Sequence, residues 1–141
     1  MNTAISGFTH AANQAQQWVN ELSDELGWNE RRAYPLLRAV LHALRDWLTE
    51  EEMADLSAQL PELIRGVYFE GWKPSEAPAL DRGKGEFVAR IQNDMANDPL
   101  GEPDLAIAAV FNLLDRHIDQ GEVAQVRKSM KKALRQLWPV H

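Results

Sequence analysis

Apolar residues recur at steps of three and four along most of the chain. Leu37, Val40, Leu41, Leu44 and Leu48 make one such stripe, and Arg38, His42, Arg45 and Asp46 fall on the other side of the same wheel. Met53, Leu56, Leu60, Ile64 and Val67 make the next. No stretch alternates apolar and polar positions with period two for long enough to form a strand. The pattern predicts an all-α protein.

Punctuation divides the pattern into six helices. The first runs from about Phe8 to Leu26 and stops at Gly27, which accepts the left-handed conformation of a helix end. The second starts at the N-cap Asn29 and ends near Asp46, loosened by Pro35, whose ring cannot donate to the Arg31 carbonyl. The third starts at Thr49, with Glu52 completing a capping box, and runs to Val67 with a kink at Pro61. The fourth covers about Glu86 to Ala96, the fifth about Asp104 to Ile118, and the sixth Asp119 to about Trp138. Residues 71–85 hold three glycines and two prolines and read as a crossover loop.

That loop separates two halves that resemble each other. A shift of 70 overlays residues 33–68 on 103–138 without a gap, so Leu37, Val40, Leu41 and Leu44 fall on Ile107, Val110, Phe111 and Leu114. Thr49 and Glu52 fall on Asp119 and Glu122, and His117 stands where Trp47 does. A shift of 69 puts Trp18, Val19, Leu22 and Leu26 on Phe87, Val88, Ile91 and Met95. Matched caps and connection lengths carry more weight than shared periodicity, which any two helical hairpins have. The expected architecture is a single domain over residues 1–141, a six-helix bundle of two tandem, pseudo-symmetric three-helix units. The first unit spans about 8–70, the crossover about 71–85 and the second unit about 86–138.

Composition narrows the class. Ala and Leu together number 35 against 16 for Val, Ile and Thr, a bias towards helix. A net charge of −6 argues against generic attraction to nucleic acid or anionic membrane. The chain has no cysteine, which removes disulfides, thiolate metal sites and a thiol nucleophile. The N-terminal residues lack the basic and apolar regions of a secretory signal, and no apolar run reaches the length of a membrane span, so a cytoplasmic protein is expected.

Candidate chemistry is sparse. His10, His42, His117 and His141 form no metal-binding spacing. His42 reads as an exposed helical histidine near Asp46, and His117 as a half-buried one satisfied by a hydrogen bond. Glu50, Glu51, Glu52 and Asp55 complement the start of a helix dipole. Gly83-Lys84-Gly85 is too short for a phosphate loop, and no Gly-x-Ser-x-Gly elbow occurs. No enzyme, cofactor or metal site is predicted.

Two features suggest contact with a partner. Residues 1–70 carry a net −6, residues 71–122 a net −5 and residues 123–141 a net +5. The last figure comes from Arg127, Lys128, Lys131, Lys132 and Arg135, one arc of the sixth helix, opposite Val123, Val126, Met130, Leu134 and Leu137. A docking surface for an acidic partner, anionic lipid or nucleic acid is the functional reading, and a solvated face with cations near a helix C-terminus is the plain one. Trp72, in the aromatic run Tyr68-Phe69-Glu70-Gly71-Trp72, either pins the crossover to the bundle or offers a binding surface. Trp18 and Trp47 read as core.

The segments Leu37-Arg38-Ala39-Val40-Leu41-His42-Ala43-Leu44-Arg45-Asp46-Trp47-Leu48 and Ala54 to Pro74, with Leu60-Pro61-Glu62-Leu63 and Gly66-Val67-Tyr68-Phe69-Glu70-Gly71-Trp72 within it, resemble domain-of-unknown-function family 2267. Glu86-Phe87 resembles the start of the family's second half, and the likeness spans about Trp18 to Trp138. The resemblance implies a small bacterial all-helical protein and no particular activity. The reading is therefore a non-enzymatic interaction or regulatory module, with an unknown protein partner or a second copy. The alternative is a small-molecule binder with a pocket between the two units.

Overall fold

The computed structural model describes residues 5–74, 83–129, 135, 137 and 138. Among these there are seven helices and no strand: α1 (Ser6–Leu26), α2 (Glu30–Trp47), α3 (Glu50–Ser57), α4 (Glu62–Phe69), α5 (Lys84–Asp94), α6 (Pro103–His117) and α7 (Gln120–Ser129). The all-helical expectation is borne out. Local chemistry sets the boundaries. Gly27 closes α1 at φ +68°, and the backbone N–H groups of Gly27 and Trp28 both return to the Ser23 carbonyl. The Asn29 side chain accepts from the Arg32 N–H at 3.1 Å to open α2. Thr49 and Glu52 form the reciprocal capping box, with bonds of 2.9 and 3.3 Å.

The helix expected over Thr49–Val67 is two helices, so the described residues hold seven helices where six were expected. Pro61 has no N–H for the Ser57 carbonyl, and the chain turns there instead of kinking. Arg65 takes the carbonyls left at the break, its Nε donating to Ser57 O and its Nη2 to Leu60 O, each at 2.9 Å. Pro35, by contrast, does not interrupt α2, whose flanking Ala33, Leu36 and Leu37 are fully buried.

α2 is the centre of the molecule, packing on α1, α4, α5 and α6, while α1 also touches α4 and α6. α7 packs on α3 and α6. Leu37, Val40, Leu41, Leu44, Ile107, Val110, Phe111 and Leu114 are all completely buried in one continuous core. Trp18 and Trp47 are core residues, and the buried Trp138 stacks on Phe111 with ring centroids 4.5 Å apart.

The polar side of α2 departs from expectation. His42 and Arg45 are buried, 6% and 3% exposed, because the end of α4 lies across them. The His42 Nε2–H donates to Val67 O at 2.7 Å, since a carbonyl only accepts. Arg45 Nη1 donates to Tyr68 O at 3.0 Å and to Glu70 O at 2.7 Å. These are the orphan carbonyls of a helix C-terminus, and a guanidinium suits both their lone pairs and the dipole. Asp46 balances the charge, accepting from Arg45 at 2.8 Å and from Arg90 of α5 at 2.8 Å. Burial pushes the Asp46 carboxyl up, but these two guanidinium groups hold it below the usual carboxylate range. The isolated, exposed His42–Asp46 pair is thus replaced by a buried network joining α2, α4 and α5.

A second polar joint links α1 to α6. Arg116 pairs with Glu21 at 3.1 Å and with Glu25 at 3.2 Å. His117 meets Glu21 at 2.9 Å and stacks on Trp18 at 4.8 Å, the half-buried, satisfied histidine that was expected. Burial raises the Glu21 carboxyl, and hydrogen bonds from His117 and Arg116 outweigh it, leaving a net lowering.

Candidate functional site

An open groove of about 420 Å³ lies between α1, α2 and α4. Ala12, Ala15 and Val19 form one wall, Tyr34 the floor edge, and Leu63, Ile64 and Val67 the other wall. Gln16, Glu30 and Arg31 stand at its rim. The groove exists because α1 carries two apolar stripes. Ala11, Trp18 and Leu22 face the core, while Ala12, Ala15 and Val19 line the groove opposite α4, and Phe8 stands four residues before Ala12 on the same side of the helix. The second stripe continues past the groove to Phe8, which is 70% exposed, and the N-cap residue Ile5 just before the helix is 61% exposed. Tyr34 and Leu63 are exposed too. A cluster of exposed large apolar side chains is uncommon on a free surface. Sequence reading missed it. The signal available was the second stripe of the first helix, wider than one buried face requires.

A cleft of about 400 Å³ lies where the α1–α2 turn meets the start of α6, lined by Leu26, Trp28, Arg32, Glu102, Leu105 and Ala106. Its arginine is already partly engaged. The Arg32 guanidinium lies 3.8 Å from the Trp28 ring centroid, donates to Pro99 O at 3.2 Å and pairs with Asp98 at 3.0 Å.

The residues singled out from sequence are dispersed. Arg127 and Lys128 occupy the last turn of α7, the first half-buried and the second exposed. The Arg127 Nε is buried with no hydrogen-bond partner among the described residues. Arg135 is exposed, and Lys131 and Lys132 lie outside the described residues. Trp72 is half-buried against Phe69, at 5.7 Å, beside Arg45, Leu48 and Met53. At the other end of α7, burial raises the Glu122 carboxyl, and the charges of Asp55 and Asp119 raise it further.

Among the described residues, no three His, Asp or Glu side chains gather into a potential metal site. No described helix is long and apolar enough to cross a membrane. Residues 15–137 match the family model described as "Uncharacterized conserved protein (DUF2267)". The chain belongs to that family. DUF2267 carries no assigned activity in this description, and no curated protein matches the chain. Two elements of the family resemblance now have a physical role in this DUF2267 chain. His42 and Arg45 cap the end of α4, and Pro61 stands at the break where α4 folds back, as its N-cap residue.

Proposed function

We propose that the protein is a non-enzymatic interaction module whose contact face is the α1/α2/α4 groove, and that a second copy of the chain fills it. One observation carries this reading. Of the five exposed large apolar residues among those described, Tyr34 and Leu63 line the groove, Phe8 extends the same side of α1 outwards, and Ile5 caps that end of the helix. The face therefore holds both a hollow and a projecting apolar ridge. In a two-fold pair each ridge enters the other copy's hollow, the self-complementarity that an isologous interface needs. Burying one exposed Phe contributes about 2 kcal/mol, counted twice in such a pair.

Light scattering at about 100 µM chain, far above a micromolar dissociation constant, is expected to give the mass of two chains. Leu63→Glu or Phe8→Glu is expected to return it to one without changing helicity. A single-chain mass for the unaltered protein overturns the proposal. The alternative, a small-molecule binder, draws on the cleft at Trp28 and Leu105, whose size suits a ligand. It predicts a rise in Tm with ligand by mass action while the mass is unchanged.

The basic stretch is the second contact surface of this proposal, for an acidic protein. Lys128 and Arg135 are exposed and have no ion-pair partner among the described residues. Low-salt retention on immobilised polyglutamate, abolished by reversing Lys128, Lys131 and Lys132 to Glu, is the test. Retention unchanged by the reversal removes this surface.

The proposal also includes the duplication, with residues 1–141 as one domain. Its support is the correspondence of caps and contacts under the shifts of 69 and 70. Leu48 and Ile118 end α2 and α6 alike, returning their N–H groups to Leu44 O and Leu114 O at 3.2 and 2.9 Å. Thr49 and Asp119 both accept with their side chains from the N–H three residues on. α1 packs on α6 as α5 packs on α2.

A further inference from the structure

We infer that the joint between the two halves is matched in charge and size, so that a first half accepts a second half and rejects another first half. The inference rests on the duplication proposed above and concerns a surface apart from the groove. Under the shifts of 69 and 70, Glu21 corresponds to Arg90 and Asp46 to Arg116. In the structure Glu21 meets Arg116 at 3.1 Å, and Arg90 meets Asp46 at 2.8 Å. The two ion pairs are images of each other with every sign reversed. Both acids belong to the first half and both guanidinium groups to the second.

The rings beside them follow the same rule. Trp18 corresponds to Phe87 and Trp47 to His117. Trp18 stacks on His117 at 4.8 Å, and Trp47 meets Phe87 edge-on at 5.6 Å. Each joint combines one indole from the first half with one smaller ring from the second.

Pairing two first halves in the same geometry sets Glu21 against Asp46 and one indole against another. Pairing two second halves sets Arg90 against Arg116 and Phe87 against His117. The first arrangement repels and overfills, and the second repels and leaves space, both of which disfavour assembly. The acids are only partly exposed, 27% for Glu21 and 21% for Asp46, so water screens the repulsion less than at an open surface. The partner that fits either surface is the opposite half, and a chain built from two similar units avoids pairing like with like.

The test uses the full chain in a Leu63→Glu background, which takes the groove contact out of the comparison. Glu25→Gln is included throughout, so that a carboxylate at position 116 meets no acid there. Adding Glu21→Arg with Arg116→Glu keeps an ion pair inside each molecule and makes each half complementary to its own kind. The expected result is a Tm above that of either single reversal, and a severalfold larger dimer fraction after refolding at high concentration, read by light scattering. A neutral version, Glu21→Gln with Arg116→Gln, is expected to lie between it and the reference. A reversed variant that dimerises no more than the reference overturns charge matching. If only the neutral version dimerises, the halves do interchange, so the duplication stands while the matching falls. If neither does, both fall.

Discussion

Arg45 is the residue on which three helices depend. Its guanidinium meets two carbonyls at the end of α4 and the Asp46 carboxylate, while only 3% of the residue reaches solvent. Arg45→Leu leaves those acceptors buried without a donor and is expected to cost about 3 kcal/mol in urea unfolding. Arg45→Lys recovers little, because one ammonium cannot span the fork. His42 acts beside it as a neutral donor. Burial holds its imidazole below the ordinary 6.5, the nearby Arg45 and Arg38 charges add to this, and the Val67 bond and Glu70 oppose it. The folded state therefore takes up the proton less readily than the unfolded one. Stability is full above about pH 6.5 and falls as pH drops towards the lowered folded value, by at most about 1.4 kcal/mol per pH unit. Tm measured between pH 5 and 7 is expected to fall with acid, and His42→Gln to flatten that fall. Neither burial was legible in the sequence. Periodicity reports which side of a helix is apolar, and says nothing of a segment 23 to 25 residues later returning to the polar side with unsatisfied carbonyls.

At the scale of elements, starts and stops were legible because they are local. Gly27, Asn29 and the Thr49–Glu52 box each act within a few residues, and each ends or begins a helix where its chemistry requires. The break at Pro61 was half legible. A proline removes one bond, but whether the helix bends or parts depends on what receives the freed carbonyls. Here Arg65 receives them, and the buried Tyr68 hydroxyl donates to Met53 O at 3.0 Å, holding α4 back against α3. Pro61→Ala is accordingly expected to leave α3 and α4 separate, with helical circular dichroism unchanged within the contribution of one turn. A gain equivalent to a continuous helix from Glu50 to Phe69 would show that proline alone makes the break.

For the whole molecule, what was legible was the repetition of stripes, and what was hidden was the use made of it. Trp18, Trp47 and His117 were readable as core or half-buried residues, yet their mutual contacts needed the two halves assembled. The groove was hidden for a related reason: α1 alone cannot say that α4 stops short of covering its second stripe. The carboxylates of the joint also set its behaviour in acid. Glu21 and Asp46 are held below the usual carboxylate range, so their contribution is present above about pH 4 and is lost as pH falls through the lowered values. Arg116→Gln removes one of the groups that lowers Glu21, and the acid-unfolding midpoint is expected to move to higher pH. A midpoint unmoved by this change would mean that the pair contributes nothing in solution.

Lys84 and Asp104 pair at 3.0 Å at the positions that correspond to Ala15 and Tyr34 of the groove. Where the first unit leaves an apolar hollow, the second spans the same place with an ion pair. In the proposed pairing, that difference would set valence. A chain with an adhesive face on both units links to two neighbours and grows into a filament, whereas a chain with one such face is saturated by a single neighbour. On the pairing proposed above, the Lys84–Asp104 ion pair leaves no second hollow at that place among the described residues, so association would end at a closed pair.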